Sequence, residues 1–420
     1  MAQSVLGVPV SVVREREDLR ASSTRVIRVR SSVHGVPYDE FPFNNGHRMD
    51  VLAYGTQSAG ATLSPLKFAR EPVRVGEIAV DITHCGVCHS DLHQARNDWK
   101  NSVWPCVPGH EIVGVVTEVG DGVTRFKVGD RAGIGCMVNS CRQCAQCKQG
   151  DEQFCTGPKS CTFTYNGPKK PDGTNSYGGY STAIAVREEF ALRIPDVIDS
   201  QHAAPILCAG VTTYQPMKYF GLKHGQVLGV AGIGGLGHMA VQIGKALGAT
   251  VIALTTSPEK TEAIEALGAD AVVDVSDDGA MAEHKGRLDM IVNTIPYKHD
   301  LNVYLPLMSS KSTIAVVGNF LGFDELDTAT MVFQHISVAG SLIGGVLDTQ
   351  EVLDLCAKHS IRPQIELIAM KDINDAFKRM QAGDVQFRYV IDMQSLKDDA
   401  EAARTAVEIA DPVRGDVVGV

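Results

Sequence analysis

The hydrophobic pattern changes character twice along the chain. From about residue 50 to 205, short β-branched runs such as EIVGVVTEVG alternate with turn formers, a pattern that predicts many short strands. From about residue 209 to 340, strand-like runs alternate instead with helical patterns: VLGVAGIGG, HMAVQIGKALG, TVIALTT, a run of period 3.6 from Pro258 to Leu267, AVVDV, DMIVNTI and TIAVVG. This βαβα order predicts an α/β domain with a doubly wound parallel sheet.

The two ends of the chain lack this organisation. Residues 1–47 show no sustained period of 2 or 3.6, and we expect a disordered N-terminal extension there. Six arginines between residues 14 and 30 would also suit a transit peptide, but three acids in the same segment weaken that alternative. Residues 394–420 are charged and compatible with a helix over their first part, and we expect them to form a C-terminal tail.

Length and charge limit the classes of function. A chain of 420 residues exceeds what one hydrophobic core usually supports, so two domains are expected. The 39 basic against 49 acidic side chains give a net charge of −10, which argues against nucleic-acid and anionic-membrane partners. The longest apolar stretch, residues 227–243, contains several glycines and a histidine, and no secretory signal is recognisable. We therefore expect a cytoplasmic protein.

A glycine-rich turn follows the first predicted strand of the α/β region. Gly232, Gly234, Gly235, Leu236 and Gly237 belong to the sequence GIGGLG, placed between the strand VLGVA and an amphipathic helix. Such a motif alone would also fit a packing turn. Between a strand and a helix, however, its backbone N–H groups point at the pyrophosphate of a dinucleotide.

The end of the next predicted strand indicates which dinucleotide binds. Thr255, Thr256 and Ser257 stand where an NAD site usually has an acid, and Lys260 follows. Hydroxyl groups and an ammonium group attract a 2′-phosphate, whereas a carboxylate would repel it. The sequence therefore predicts NADP(H).

Cysteine spacing predicts a metal site. Cys141, Cys144, Cys147 and Cys155 place four thiols within fifteen residues, a spacing that suits structural zinc. The total of eleven cysteines is odd, which argues against a disulfide framework and for a reducing compartment.

The chain resembles the zinc-dependent medium-chain alcohol dehydrogenases, in particular the cinnamyl alcohol dehydrogenase-like branch with its bacterial NADP-dependent aldehyde reductases. The likeness extends from Val51 to Met393 and includes CGVCHSDLHQARNDW, VPGHEIVGVVTEVG, the four cysteines, APILCAGVTTY, GIGGLGHMAVQ, ADAVVDV, GSLIGG and FRYVID. It implies a GroES-like, mostly-β catalytic domain (48–208 and 341–393) and a Rossmann NADP-binding domain (209–340). It also implies a homodimer joined through the cofactor domains.

The resemblance assigns a second zinc site, giving two zinc ions per chain. Its ligands would be Cys88, His110 and Cys208, with Glu111 as an alternating fourth ligand. Cys85 is then a bystander, although its CxxC spacing to Cys88 alone would predict a ligand. An open position among three protein ligands is typical of catalytic zinc.

Further roles follow from the same resemblance. Asp91 would orient His110, while Ser90, His93 and Asp98 would pass a proton to solvent. Thr212 would lie near the nicotinamide. Trp99 is expected either to form a wall of the substrate pocket or to be an ordinary core residue.

The resemblance implies a zinc-dependent oxidoreductase that interconverts primary alcohols and aldehydes with NADP(H), and acts mainly as a broad-range reductase of aromatic and aliphatic aldehydes. A polyol dehydrogenase is the alternative enzyme, but Trp99 and Trp104 argue against the polar pocket it would need. A catalytically silent zinc-binding relative and a zinc-ribbon binding protein are the alternatives outside enzymes.

Overall fold

The structure is a computed structural model that describes residues 48–157, 160–165, 175–318 and 322–409. The predicted extension 1–47 and the end of the predicted tail, 410–420, lie outside these residues. In chain order the strands are β1 Met49–Gly55, β2 Ser64–Arg70, β3 Glu77–Gly86, β4 Ile112–Val119, β5 Arg131–Ile134, β6 Met137–Asn139, β7 Thr162–Phe163, β8 Ala183–Arg187, β9 Ala191–Arg193, β10 Val227–Ala231, β11 Thr250–Thr255, β12 Ala271–Asp274, β13 Leu288–Asn293, β14 Met308–Val316, β15 Ser337–Gly340, β16 Ile365–Ala369, β17 Arg388–Asp392 and β18 Val407–Glu408. The helices are α1 His89–Arg96, α2 Ala145–Gln149, α3 Ser200–Pro205, α4 Val211–Tyr219, α5 Gly237–Ala246, α6 Thr261–Ala266, α7 Asp278–Glu283, α8 Thr328–Gln334, α9 Val346–Lys358, α10 Ile373–Gln381, α11 Gln394–Lys397 and α12 Ala400–Thr405.

A six-stranded parallel sheet forms the α/β part of the chain. Its strand order is β12-β11-β10-β13-β14-β15, and each neighbouring pair is parallel. The chain winds outward from β10 in both directions, so a crevice opens at the carboxyl ends of β10 and its neighbours. The predicted doubly wound sheet is confirmed.

A second sheet, mostly antiparallel, has the strand order β16-β17-β3-β4-β5-β9, with β8 paired to β3. Strand β17 comes after the parallel sheet in the sequence but pairs with β3, which comes before it. Ile391 in β17 lies opposite Cys85 in β3. This sheet is therefore built from both sides of the inserted α/β region.

One irregular helix connects the two parts. Residues Ile206–Gly210 form a π-helical turn between α3 and α4. Val352 and Leu353 of α9 belong to the same buried apolar cluster as this turn. The packing fixes the backbone around Cys208, because interior side chains are close-packed and tolerate little displacement.

The described part of the predicted tail is folded. Helices α11 and α12 lead into β18, which pairs in parallel with β2, and the Ile409 N–H donates to the Lys67 carbonyl oxygen at 2.9 Å. Leu396, Ala402 and Ile409 are buried. Residues 394–409 are therefore part of the folded structure, and three apolar side chains spaced along a polar sequence supply the packing.

Within the ranges described above, no helix is both long enough and apolar enough to span a lipid bilayer.

Candidate active site

Helix α1 begins at the centre of the site. Cys88 is its N-cap residue in an extended conformation, and the Cys88 N–H donates to Asp91 Oδ2 at 2.8 Å. An acid in the first turn stabilises a helix by accepting from otherwise unpaired N–H groups. The same helix carries Ser90 and His93, which are three residues apart and therefore lie on one face of the helix.

Four potential metal ligands from distant parts of the chain meet beside this helix. Cys88, His110, Glu111 and Cys208 each offer one donor atom, and these atoms all lie within 4.8 Å of one another. His110 Nε2 lies 3.2 Å from Cys208 Sγ. Two thiols, one imidazole and one carboxylate are a donor set that zinc binds in catalytic sites, so the residues fit a zinc ion.

Asp91 holds this cluster in place from behind. It is fully buried, and its Oδ1 accepts from the Gly109 N–H at 2.9 Å and lies 3.2 Å from His110 Nδ1. The Tyr180 hydroxyl donates to Asp91 Oδ2 at 3.1 Å. These bonds fix the imidazole with its Nε2 toward the other donors, an arrangement typical of metal-ligating histidines.

Glu111 has a partner that sequence reasoning missed. Arg388 of β17 forms an ion pair with it, and both side chains are buried. Arg388 also lies against the glycine-rich turn, because a Cβ at Gly235 would stand 2.6 Å from Arg388 Nη1. The one available signal was chemical: a buried carboxylate requires a compensating charge.

The electrostatics of the cluster favour a thiolate. The hydrogen bond with Cys208 and the positive charge of Arg388 lower the pKa of Cys88 well below its ordinary value. A thiolate is the form of cysteine that binds a metal.

The predicted relay residues lie together. Ser90 Oγ is 3.6 Å from Cys88 Sγ, and His93 Nδ1 is 2.8 Å from Asp98 Oδ2. The ring of Trp99 lies 5.4 Å from the ring of His93, centroid to centroid. Helix α1 and the residues just after it thus bring a hydroxyl, an imidazole and a carboxylate to the edge of the four-donor cluster.

A single cavity of about 940 Å³ contains most of the predicted site residues. They are Cys88, Ser90, His93, Asp98, Trp99, His110, Cys208, Thr212, Gly232, Gly234, Gly235, Leu236, Thr255, Thr256, Ser257 and Lys260. Asp91, Glu111 and Gly237 are not among the lining residues. Asp91 lies behind His110, Glu111 is one of the four clustered donor residues, and Gly237 begins α5. Trp104 does not line the cavity, so it says nothing about the polarity of the pocket.

The cavity also contains residues that the sequence did not single out. Phe163, Tyr165 and Ile343 line it, together with Cys136. Tyr165 is buried with its ring 5.5 Å from that of His110. Their side chains close the space around the four donor residues. Phe163 and Tyr165 come from β7 and the residues just after it, and Ile343 comes from the segment before α9, so no local motif signals them.

The cofactor half of the cavity fits a phosphorylated dinucleotide. Thr212 Oγ1 is buried without a hydrogen-bond partner among the described residues, as expected where a ligand would supply one. A Cβ at Gly234 would touch nothing within 4 Å, so this part of the turn faces open space. Asp98 is the one carboxylate among the described residues that line the cavity, and Lys260 lies where its ammonium group could meet a phosphate.

The four-cysteine loop lies outside this cavity. The donor atoms of Cys141, Cys144, Cys147 and Cys155 all lie within 4.8 Å of one another. Backbone hydrogen bonds from Cys147 and Thr156 lower the pKa of Cys144 to about 5. Four sulfur donors in one short loop fit a closed structural zinc site.

Comparison with known proteins connects both halves of the chain to one family. The family model described as "Alcohol dehydrogenase GroES-like domain" matches residues 74–196, and that described as "Zinc-binding dehydrogenase" matches residues 235–358.

Three relatives cover most of the chain. A protein named probable mannitol dehydrogenase from Mesembryanthemum crystallinum is 46% identical over 83% of this chain and 96% of its own. Aldehyde reductase YahK from Escherichia coli is 43% identical over 83% of this chain and its whole length. The cinnamyl alcohol dehydrogenase from Helicobacter pylori, solved with NADP(H), is 38% identical with a TM-score of 0.77, covering 83% of this chain and 99% of its own.

Proposed function

The chain belongs to the zinc-dependent medium-chain alcohol dehydrogenases, in their cinnamyl alcohol dehydrogenase-like branch, and we propose that it works mainly as an NADPH-dependent reductase of aldehydes. It is an alcohol and aldehyde oxidoreductase that uses zinc and NADP(H). The observation that carries the proposal is the meeting of Cys88, His110 and Cys208 with the glycine-rich turn in one cavity.

Cys88, His110 and Cys208 would hold the catalytic zinc, with Glu111 as the alternating ligand, and the four-cysteine loop would hold the structural zinc. Bound in this cavity, zinc supplies a Lewis acid for a carbonyl oxygen and NADPH supplies the hydride. Asp91 orients His110 through the contact with Nδ1, so that Nε2 faces the metal position.

The chain itself must deliver the proton that completes the alcohol. In the proposed route, the Ser90 hydroxyl donates to the substrate oxygen beside the four donor residues, and Ser90 is then reprotonated by way of His93. Asp98 accepts from His93 Nδ1 and holds the ring for this transfer. His93 and Asp98 are partly exposed, which supports an exit to solvent at this point.

The cofactor would extend across the glycine-rich turn. Gly232, Gly234, Gly235, Leu236 and Gly237 would contact the pyrophosphate, Thr212 the nicotinamide side, and Thr255, Thr256, Ser257 and Lys260 the 2′-phosphate end. Lys260 Nζ donates to the Gly383 carbonyl oxygen at 3.3 Å, a weak bond that a phosphate could replace.

Removing the charge at Lys260 tests the cofactor assignment. We expect Lys260→Met to raise the KM for NADPH about 10-fold while leaving the KM for NADH nearly unchanged, because only NADPH carries the 2′-phosphate. Steady-state kinetics with each cofactor measure the difference. Equal efficiency of the wild-type enzyme with NAD and NADP would overturn the assignment.

The substrate end of the cavity favours apolar and aromatic aldehydes. Trp99, Phe163 and Tyr165 present ring surfaces in the same cavity as the proposed zinc ligands, and such surfaces suit a planar carbonyl compound. A reducing direction agrees with the reduced state in which cells generally keep NADP(H).

A panel of substrates distinguishes the candidate functions. We expect oxidation of NADPH with cinnamaldehyde, benzaldehyde and hexanal, with two zinc ions per chain by elemental analysis. Preferential reduction of fructose would favour the polyol dehydrogenase. This alternative is relevant because one relative is named probable mannitol dehydrogenase. One zinc ion per chain without turnover on any substrate would indicate a silent relative.

We further propose a cytoplasmic homodimer. None of the eleven cysteines, all of which lie in the described ranges, forms a disulfide bond, a state that a reducing compartment maintains. Val332 and Phe333 of α8 are 77% and 87% exposed near β15, the outer strand of the parallel sheet. An exposed apolar pair beside an open strand edge supports association with a second copy through the cofactor domains.

A further inference from the structure

Helix α9 starts without a cap of its own. Its N-cap residue is Gly345, which has no side chain to accept from the first N–H groups of the helix. Those N–H groups are unpaired within any α-helix and carry the positive end of its dipole. The cap must therefore come from another element.

The four-cysteine loop supplies it. Glu152 follows Cys147 and precedes Cys155, and its Oε2 accepts from the Val346 N–H at 3.1 Å. A Cβ at Gly345 would overlap the Gly150 carbonyl oxygen and stand 2.6 Å from Glu152 Oε2. The loop thus lies directly against the backbone that begins α9.

That backbone continues into the wall of the active-site cavity. Ser341, Leu342 and Ile343 line the cavity and come just before Gly345. At its other end this segment is held by the Ser341 hydroxyl, which donates to Gln215 Oε1 at 2.7 Å. The wall is therefore fixed by α4 on one side and by Glu152 on the other.

We propose that Glu152 is a positioning residue, through which the four-cysteine loop holds the Ser341–Ile343 wall in the geometry that binds NADP(H) and aldehyde. This inference rests on the proposed function of the cavity. It assigns to the structural zinc loop an effect on ligand binding in addition to its effect on stability.

The test compares variants at Glu152 with a neighbouring acid. Asp151→Ala is the matched control, since Asp151 belongs to the same loop and its side chain caps nothing. We expect Glu152→Ala to weaken NADPH binding and raise the KM for cinnamaldehyde about 5-fold each, with kcat changed less than about 2-fold. Glu152→Gln, which keeps an acceptor oxygen of the same reach, should retain most of the affinity, whereas Glu152→Asp should resemble Glu152→Ala.

NADPH binding is measured by fluorescence titration without aldehyde, together with the zinc content of each variant. A wild-type protein that fails to bind NADPH contradicts the proposed function itself. A wild-type protein that binds NADPH, with Glu152→Ala binding equally well, overturns the inference alone. Loss of zinc from Glu152→Ala also overturns it, because Glu152 would then act by holding the metal loop together.

Discussion

A single guanidinium group joins the two halves of the active site. Arg388 pairs with the buried Glu111 of the four-donor cluster and lies against the glycine-rich turn at Gly235. Burying a carboxylate in this way is tolerable only with its counter-charge in place. The pair could not be predicted from the sequence, since its members stand 277 residues apart in the chain.

Ser90 is the most direct test of the proton route at the residue scale. We expect Ser90→Ala to lower kcat about 100-fold, because the substrate oxygen loses its nearest proton donor, while both zinc ions remain bound. Steady-state NADPH oxidation and elemental analysis measure the two quantities. His93→Ala should cost less, since water can partly replace an imidazole close to solvent.

Ser102→Ala is the matched control for Ser90. The Ser102 hydroxyl donates to the Gln94 carbonyl oxygen at 2.6 Å and does not line the cavity, so its removal should leave kcat within about 2-fold. Near-wild-type turnover of Ser90→Ala would contradict the relay.

A buried histidine makes stability depend on pH. Burial lowers the pKa of His238 to about 4, and the ring stacks on Phe387 at a centroid distance of 5.4 Å. The pKa of His238 in the folded protein lies below the unfolded value of about 6.5. The neutral ring therefore contributes its full stabilisation to the fold above pH 6.5, and this stabilisation is lost as the pH falls toward 4. At pH 5 the loss from this group is about 2 kcal/mol.

Replacing His238 should therefore flatten the pH dependence. We expect the melting temperature of His238→Gln to fall less between pH 7 and pH 5 than that of the wild type. His359→Gln, at an exposed position after α9, is the control for losing a histidine. Parallel curves for His238→Gln and wild type would show that His238 does not contribute.

At the scale of elements, local signals predict structure well where they are self-contained. The strand, glycine turn and helix over residues 227–246 agree closely with the predicted pattern. The glycines allow the tight turn and the close helix–strand packing that the motif requires, and both are local properties. The predicted helical run from Pro258 instead begins with a 3₁₀ turn, and α6 covers only Thr261–Ala266. Proline fixes its own φ and lacks an N–H group, which suits the first turn but gives no guarantee of a long helix.

The folded C-terminal segment should stabilise the catalytic domain. Ending the chain after Asp398 removes α12, β18 and the buried Ile409, and we expect the free energy of unfolding to fall by about 3 kcal/mol. Urea unfolding monitored by circular dichroism measures the change. Ending the chain after Ile409 is the control, because it keeps every one of these contacts; equal stability of the two truncated chains would rule out the stabilising role.

At the scale of the whole molecule, the exposed apolar pair on α8 tests the proposed dimer. We expect Phe333→Asp to weaken dimerisation about 100-fold or more, since a central aromatic side chain often dominates an interface. Sedimentation velocity over a concentration series measures the dissociation constant.

Tyr219→Asp is the matched control for Phe333, because Tyr219 is 73% exposed on α4. It should leave the association unchanged. A wild-type protein that sediments as a monomer, or a dimer that Phe333→Asp does not weaken, would contradict the proposal that this surface forms the dimer interface.

The whole site is harder to predict from the sequence than its separate motifs, because its residues come from elements that lie far apart in the chain. The proposed metal ligands Cys88, His110 and Cys208 were recognisable through family motifs, whereas the lining by Phe163 and Tyr165 depends on how the segment at β7 packs against the rest of the site. Long-range packing follows from the complete three-dimensional arrangement, and short sequence windows carry little information about it.

The pairing of β17 with β3 also determines when each of the two sheets can form while the chain is being synthesised. The parallel sheet is continuous in sequence and emerges from the ribosome as one unit, so it can form before the chain is finished. In the antiparallel sheet β3 can pair with β4 and β8 earlier, but its edge at His84–Gly86 stays without a partner until Arg388–Asp392 has emerged. Because Arg388 belongs to that strand, the counter-charge of Glu111 joins the nascent protein together with the pairing of β17 and β3.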